Sequence, residues 1–274
     1  MALSVVALYS QLLPKTNCGE CGFPTCIAFA GMVVSQKYPL KKCIYIPAPD
    51  LERAEKELES QYKEGKWTQK DMAQEALVLA RERTASMAFA DIAQRIGGTL
   101  KNEIIHLPYF NGSIQIHRDK ITHSSGRKLS RNEQTFIHIH MAMGSDAMPT
   151  GNLKSLKEFP NTVSKVESMK AHVEIPLTQA FENKLSILEK ACRDTGGQDA
   201  GRRFDSPDLA FCFQVFPRVS VTLLFWDTSE EFGAEAKLLF DDTIPGHLDI
   251  ESIMFLSEHL TQTLTQWGKT AAEE

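Results

Sequence analysis

The sequence predicts an α+β protein: a small helical segment over residues 1–46, a helical linker over 47–83, and a larger domain over 84–274 with a mostly antiparallel sheet and packed helices. Three observations lead there. Four of the six cysteines crowd between positions 18 and 43. The run Ile46-Pro47-Ala48-Pro49 then forms a stiff extended connector, because proline fixes φ and removes a donor. Past Gly97-Gly98 the apolar period changes, and strand candidates, helices, further strands and a final helix follow in the order of an α+β domain.

The elements follow in chain order. Ser4–Leu13 has the pattern of a short amphipathic helix, stopped by Pro14. A cysteine-rich loop runs from Lys15 to about Pro24, and Thr25–Lys37 predicts a second helix with Ile27, Ala30, Val33 and Val34 on one face. Asp50–Lys63 is a charged helix. Thr68–Ile96 is a longer one, opened by Thr68-x-x-Asp71 and closed by Gly97-Gly98. Leu100–Phe110 and Ser113–Ile116 flank Asn111-Gly112, a strong hairpin signal, with a third strand over Lys120–Ser124. Ser130-x-x-Glu133 is a capping box opening a helix to about Met143, and Pro176–Asp194 predicts another with the stripe Leu177, Phe181, Leu185, Leu188 and Cys192. Leu209–Phe216, Val219–Trp226 and Ala236–Phe240 are strands, and Asp249–Trp267 is the last helix.

Bulk composition narrows the function. With 42% hydrophobic and 24% charged residues, the 274-residue chain can build a core without disulfides. A net charge of −5 argues against a general nucleic-acid or anionic-membrane binder. No apolar run reaches the roughly 18 residues of a membrane span, so no membrane insertion is expected. Met1–Leu13 lacks a basic start and a small-residue cleavage site, so no signal peptide is read there and the cytoplasm is expected.

The cysteines carry the chemistry. Cys18, Cys21, Cys26 and Cys43 have the spacing C-x2-C-x4-C-x16-C. A cubane iron–sulfur cluster needs thiolates at four corners, so closely spaced cysteines must curl around it. Gly19 and Gly22 allow that curl through positive φ and let N–H groups approach the sulfurs. Cys26 falls in the first turn of the second helix, whose positive end favours an anion, and Cys43 closes the site from beyond that helix. Four lysines against one glutamate in residues 1–45 nearly neutralise a cluster of charge about −2. These four cysteines are the expected ligands of a 4Fe–4S cluster. Two other readings stay open. One is structural zinc, which more often uses two separated two-cysteine knuckles; the other is a chance grouping of reduced thiols.

The run Leu13-Pro14-Lys15-Thr16-Asn17-Cys18-Gly19-Glu20-Cys21-Gly22-Phe23-Pro24-Thr25-Cys26 resembles the 4Fe–4S module of the large subunit of corrinoid iron–sulfur proteins, from the acetyl-CoA pathway. It is also similar to the cluster segment of a membrane-linked ferredoxin-type electron-transfer subunit. All four ligand positions match, over about residues 8–45. The remainder, about 84–267, resembles an uncharacterised domain of anaerobic bacteria often fused behind this module. That likeness is carried by Phe216-Pro217-Arg218-Val219, Leu224-Phe225-Trp226, Glu230-Glu231-Phe232, Leu238-Leu239-Phe240-Asp241 and His247-Leu248-Asp249-x-Glu251. The resemblance implies a one-electron carrier or redox accessory protein serving corrinoid or one-carbon metabolism, with a ferredoxin or a corrinoid protein as redox partner. The chain is too short for the barrel and corrinoid domains of the large subunit, so methyl transfer is not implied. The alternative is a ligand-binding or interaction protein whose cluster is structural or redox-sensing.

Other signals read as structure. The acidic residues Glu230, Glu231, Asp241, Asp242, Asp249 and Glu251 suit a hard cation, but their spacing fits turns and a helix start better. His138 and His140, two apart on a helix, point to opposite sides and cannot share a ligand. His247, Cys192, Cys212 and Trp226 read as core or structural positions. No nucleophile elbow, phosphate loop, dinucleotide fingerprint or zinc-protease motif occurs, and nothing nominates a catalytic residue.

Overall fold

The computed structural model describes residues 3–63 and 69–272. The chain divides into two compact units, Met1–Ala76 and Leu77–Glu274. It is α+β, with helices in both units and two antiparallel sheets in the second.

In the first unit, α1 (Val5–Gln11) is capped by Ser4, whose hydroxyl accepts from the Ala7 N–H, and α2 (Cys26–Gln36) is capped in the same way by Thr25. Lys37, at φ 56°, ends α2 in the left-handed region. A 3-10 turn over Leu40–Lys42 leads to Cys43, and α3 (Ala48–Lys63) follows. Leu8, Phe29, Ala30, Val33, Leu40, Ala54 and Leu58 form one buried cluster with Cys26 and Cys43. Thus α3, placed in the linker on sequence, contributes side chains to the core that surrounds the cysteines. It is tied there by Tyr62, whose hydroxyl donates to Val33 O, and by Gln61, whose amide bonds the Leu3 backbone in both senses.

Thr68, the expected cap of the next helix, lies outside the described residues. The long helix expected to Ile96 is broken in two, α4 (Gln69–Ala85) and α5 (Phe89–Ile96). The break follows Thr84, whose hydroxyl bonds the Arg81 carbonyl and His138 Nδ1. Gly97, at φ +75°, closes α5, and a Cβ there would meet Pro217 at 2.9 Å.

A four-stranded meander follows: β1 (Thr99–Lys101), β2 (Ile104–Tyr109), β3 (Gly112–Ile116) and β4 (Ile121–His123). The single strand expected over Leu100–Phe110 is folded back at Asn102 and Glu103, both at positive φ (48° and 59°). The next turn is shifted by one residue. Tyr109 pairs with Gly112, so Phe110 (φ 49°) and Asn111 make the turn and Gly112 starts β3. Pro108 is tolerated inside β2 because β1 pairs only as far as His106, leaving that N–H side without a strand partner.

Helix α6 (Arg131–Met143) begins with the predicted capping box. The helix expected over Pro176–Asp194 is interrupted. It comprises α8 (Ile175–Phe181) and α9 (Leu185–Asp194), with Asn183 at φ 59° between them, and is preceded by α7 (Val163–Met169) and a π-helical turn over Lys170–Glu174. The second sheet has the order β5 (Leu153–Ser155), β9 (Glu235–Asp241), β8 (Val219–Trp226), β7 (Leu209–Phe216), β6 (Gln198–Asp199). Its three long strands match the predicted ones closely. They are nearly continuous apolar runs because both faces are covered. One face joins the main core with Phe136, Ile137, Leu256, Leu260 and Leu264 from α6 and α10 (Ile250–Ala272), and the other carries a smaller cluster around Ala200, Ala210 and Leu224.

Candidate metal centre

The loop before α2 is bent by left-handed residues at Lys15 (φ 61°), Asn17 (52°), Gly19 (78°) and Gly22 (88°). Between the last two, the Gly22 N–H donates to the Gly19 carbonyl at 2.9 Å. Asn17 crosses the loop, its Oδ1 accepting from the Cys26 N–H at 2.8 Å. With Thr25 accepting from Ala28, side chains hold two N–H groups of the first turn of α2, the end whose positive charge favours an anionic cluster. The far corner is set by the 3-10 turn, where the Cys43 N–H donates to Leu40 O at 3.1 Å.

The result is one hollow lined by Cys18, Cys21, Cys26 and Cys43 together with Phe23, Phe29, Ile44 and Tyr45. Cys26 and Cys43 are buried at its base, Cys21 is half-buried and Cys18 is exposed. Phe23 packs edge-on against Tyr38 with centroids 5.1 Å apart, making the wall apolar. Tyr45 donates to Glu20 Oε1 at 2.9 Å, linking the two sides of the rim. The Cys43 thiol is pushed up by burial; a backbone hydrogen bond from Tyr45 opposes this, and the charges of Cys21, Cys26 and Cys18 push it further. That mutual repulsion is what a cationic iron core relieves. Among the described residues no three His, Cys, Asp or Glu side chains are placed to hold a single metal ion. The four thiols line one hollow. Wall and donor set both fit an iron–sulfur cluster.

The remaining candidates separate. His138 Nδ1 meets Thr84 Oγ1 at 3.0 Å, whereas His140 stacks on Phe216 at 4.3 Å and bonds the His247 carbonyl at 3.3 Å through Nδ1. Burial drives both histidines down, to about 4 and about 3. His247 is buried, with Nε2 at 3.1 Å from Ala147 O. The acidic run does not converge on a cation. Asp241 accepts from the backbone of Thr150, Gly151 and Thr243; Asp249 caps α10 through Ser252; Glu251 pairs with Lys165. Cys192 is buried with its thiol pushed well up by desolvation, and Cys212 and Trp226 pack in the smaller apolar cluster.

Sequence reasoning missed two features. Glu133, read as a cap, is also the centre of a buried network. Arg127 grips it with two bonds of 3.0 and 2.7 Å, Tyr109 donates to it at 2.9 Å, and His259 lies 3.3 Å away. Partners this far apart in the chain leave no local spacing to read. The second is a groove of about 540 Å³ bordered by Lys157, Lys170, Glu174, Glu235 and Lys237, with the π-helical turn on one wall.

Comparison with known proteins agrees with this layout. A family described as "Putative Fe-S cluster" matches residues 13–45, and a family described as a domain of unknown function, DUF3786, matches residues 88–263. The corrinoid/iron-sulfur protein large subunit of Moorella thermoacetica is 52% identical over 46 residues, 17% of this chain and 10% of that protein. An acetyl-CoA decarbonylase/synthase complex subunit gamma of Methanocaldococcus jannaschii is 36% identical over 56 residues, 20% of this chain and 11% of that one. Subunit gamma 2 of the same complex from Methanosarcina thermophila is 25% identical over 171 residues, 61% of this chain and 33% of that protein. The chain spans about a tenth of the length of the first two relatives and a third of the last. No solved structure matches it.

Proposed function

The chain belongs to the DUF3786 family, and from that premise we propose that it is a 4Fe–4S protein passing single electrons, a redox accessory to one-carbon chemistry. The observation that carries this reading is the single apolar hollow onto which Cys18, Cys21, Cys26 and Cys43 all face. In it these four residues would hold the cluster. When bound, that group supplies one-electron transfer with little rearrangement. The chain's own contribution is to place the thiolates, to cover two of them with Phe29, Leu40 and α2, and to leave Cys18 toward solvent where a partner can approach.

The relatives' names support a role beside corrinoid or acetyl-CoA chemistry within a multi-subunit assembly; a ferredoxin or a corrinoid protein is the redox partner of this proposal. The proposed division is a cluster segment over 1–46, a linker over 47–83 whose first helix, α3, packs onto that segment, and an α+β domain over 84–274, acting in the cytoplasm. Among the described residues no helix is long and apolar enough to cross a membrane. A second reading, that the larger unit binds a ligand while the cluster senses or stabilises, is favoured by the groove beside the π-helical turn, since such turns often mark functional sites.

The deciding experiment is anaerobic purification with iron and sulfide analysis and EPR of the dithionite-reduced protein. About four irons and four sulfides per chain with a half-integer-spin signal are expected. Stoichiometric zinc with no signal ends the proposal. A cluster that resists reduction across about −700 to +450 mV moves it to the second reading.

A further inference from the structure

Besides offsetting the charge of a bound cluster, the lysines near the cysteine hollow form an exposed pattern of charge beside apolar side chains. Lys15 follows Pro14 and Lys42 precedes Cys43, both of which line the hollow, and Lys41 stands beside Lys42 on the 3-10 turn. All three lysines are exposed. Among the described residues none of them pairs with a carboxylate, although lysines elsewhere, such as Lys63, Lys165 and Lys237, do; Lys15 lies over the Tyr9 ring, 6.0 Å from its centroid. The one acid of the rim, Glu20, is engaged by the Tyr45 hydroxyl. Two large side chains of the hollow's lining are exposed: Ile44 is 68% and Tyr45 50% exposed. The chain as a whole is acidic, at −5. Three exposed lysines without a carboxylate partner, close in sequence to residues that line the hollow, are on such a chain a local reversal of sign beside the thiol site.

We propose that these residues, Lys15, Lys41 and Lys42 with Ile44 and Tyr45, are the docking surface for an acidic one-electron carrier protein. The inference rests on the electron-transfer reading above and adds the partner's chemistry to it. The lysines steer a carboxylate-ringed face onto the hollow, and Ile44 and Tyr45 let the two surfaces meet without water beside the hollow they line. With a cluster held by Cys18, Cys21, Cys26 and Cys43, one electron would pass to it from the reduced centre of the carrier, with no bond formed and no proton moved. Opposite charge sets the encounter rate, so the association weakens with salt.

The test uses the full-chain protein with its cluster and, as probe, a reduced 2[4Fe–4S] ferredoxin of strongly negative net charge, with reduced methyl viologen as a small cationic control. Stopped-flow reduction by the ferredoxin should fall about tenfold or more between low and high salt, and about as much in Lys41→Glu/Lys42→Glu, at unchanged iron content. Lys15→Glu alone should fall less, and methyl viologen should reduce all variants without loss. Independently of electron transfer, carbodiimide cross-linking followed by mass spectrometry should join ferredoxin carboxylates to Lys15, Lys41 or Lys42. If the charge reversals leave the ferredoxin rate unchanged, or the cross-links fall on other lysines while methyl viologen still reduces the protein, the docking surface is wrong and the electron-transfer reading stands. If neither reductant reduces the protein, that underlying reading falls and takes the surface with it.

Discussion

Glu133→Gln tests whether the buried network in the larger unit works through charge. The Glu133 side chain is 2% exposed and that of Arg127 is 40% exposed. Burial alone would raise this carboxyl. The hydrogen bonds from Arg127, the charge of His259 and the Ser130 N–H more than offset it, and hold it from 4.5 down to about 2. Because the folded value lies below the unfolded one, the stabilisation is fully present above about pH 4.5 and is lost as pH falls through about 2. Linkage puts it at about 3 kcal/mol at pH 7 and roughly 1.4 kcal/mol at pH 3. Glutamine keeps the shape, and its one oxygen can still accept from Arg127 Nη2 and Tyr109; its NH2 replaces the oxygen that accepts from Arg127 Nη1 and the Ser130 N–H, so a pH-independent loss adds to the loss of charge. Urea unfolding followed by tryptophan fluorescence, at both pH values, should show the variant weaker by about 3 kcal/mol or more at pH 7 and by clearly less at pH 3. An equal loss at both pH values would mean that packing, and not ionisation, is what Glu133 contributes, and the argument would fail.

The other predictions concern the cysteines and the backbone. Cys18→Ser, Cys21→Ser, Cys26→Ser and Cys43→Ser should each lower bound iron and the visible absorbance, because serine oxygen is a harder and poorer ligand for iron than thiolate. Cys192→Ser and Cys212→Ser should leave the absorbance intact, and the opposite pattern would overturn the ligand assignment. Removing iron with a chelator should speed amide hydrogen exchange across 5–43, where the apolar core is small, and leave the strands at 209–226 protected. Gly196→Ala should cost about 1–3 kcal/mol, since Gly196 sits at φ +90° with Asn111 Cβ only 2.6 Å from the added methyl. Wild-type thermal stability in that variant would show that the hairpin turn at Asn111 gives way freely.

Much of this protein was determined locally. The Ser130 capping box, the long apolar strands from Leu209 to Trp226 and the Cys18, Cys21 and Cys26 spacing are short-range patterns, legible because each depends on residues close in the chain; Cys43 is legible as their fourth member by residue type. Where the sequence reading slipped, a long-range contact outweighed a local preference. Asn111-Gly112 has the strongest turn chemistry, yet register with β2 puts Phe110 in the turn. Two predicted helices are each split, one after Thr84, which bonds His138, and one at Asn183, whose N–H donates to Asp227. The cysteine spacing could name four candidate ligands. It could not say that all four face one apolar hollow, that α3 helps to bury their base, or that the lysines beside them have no carboxylate partner among the described residues. Nor could it gather Tyr109 and His259 onto Arg127 and Glu133, since the four lie on three separate stretches of chain. Periodicity records which face of an element is buried, but only packing decides which faces, and hence which charges, meet.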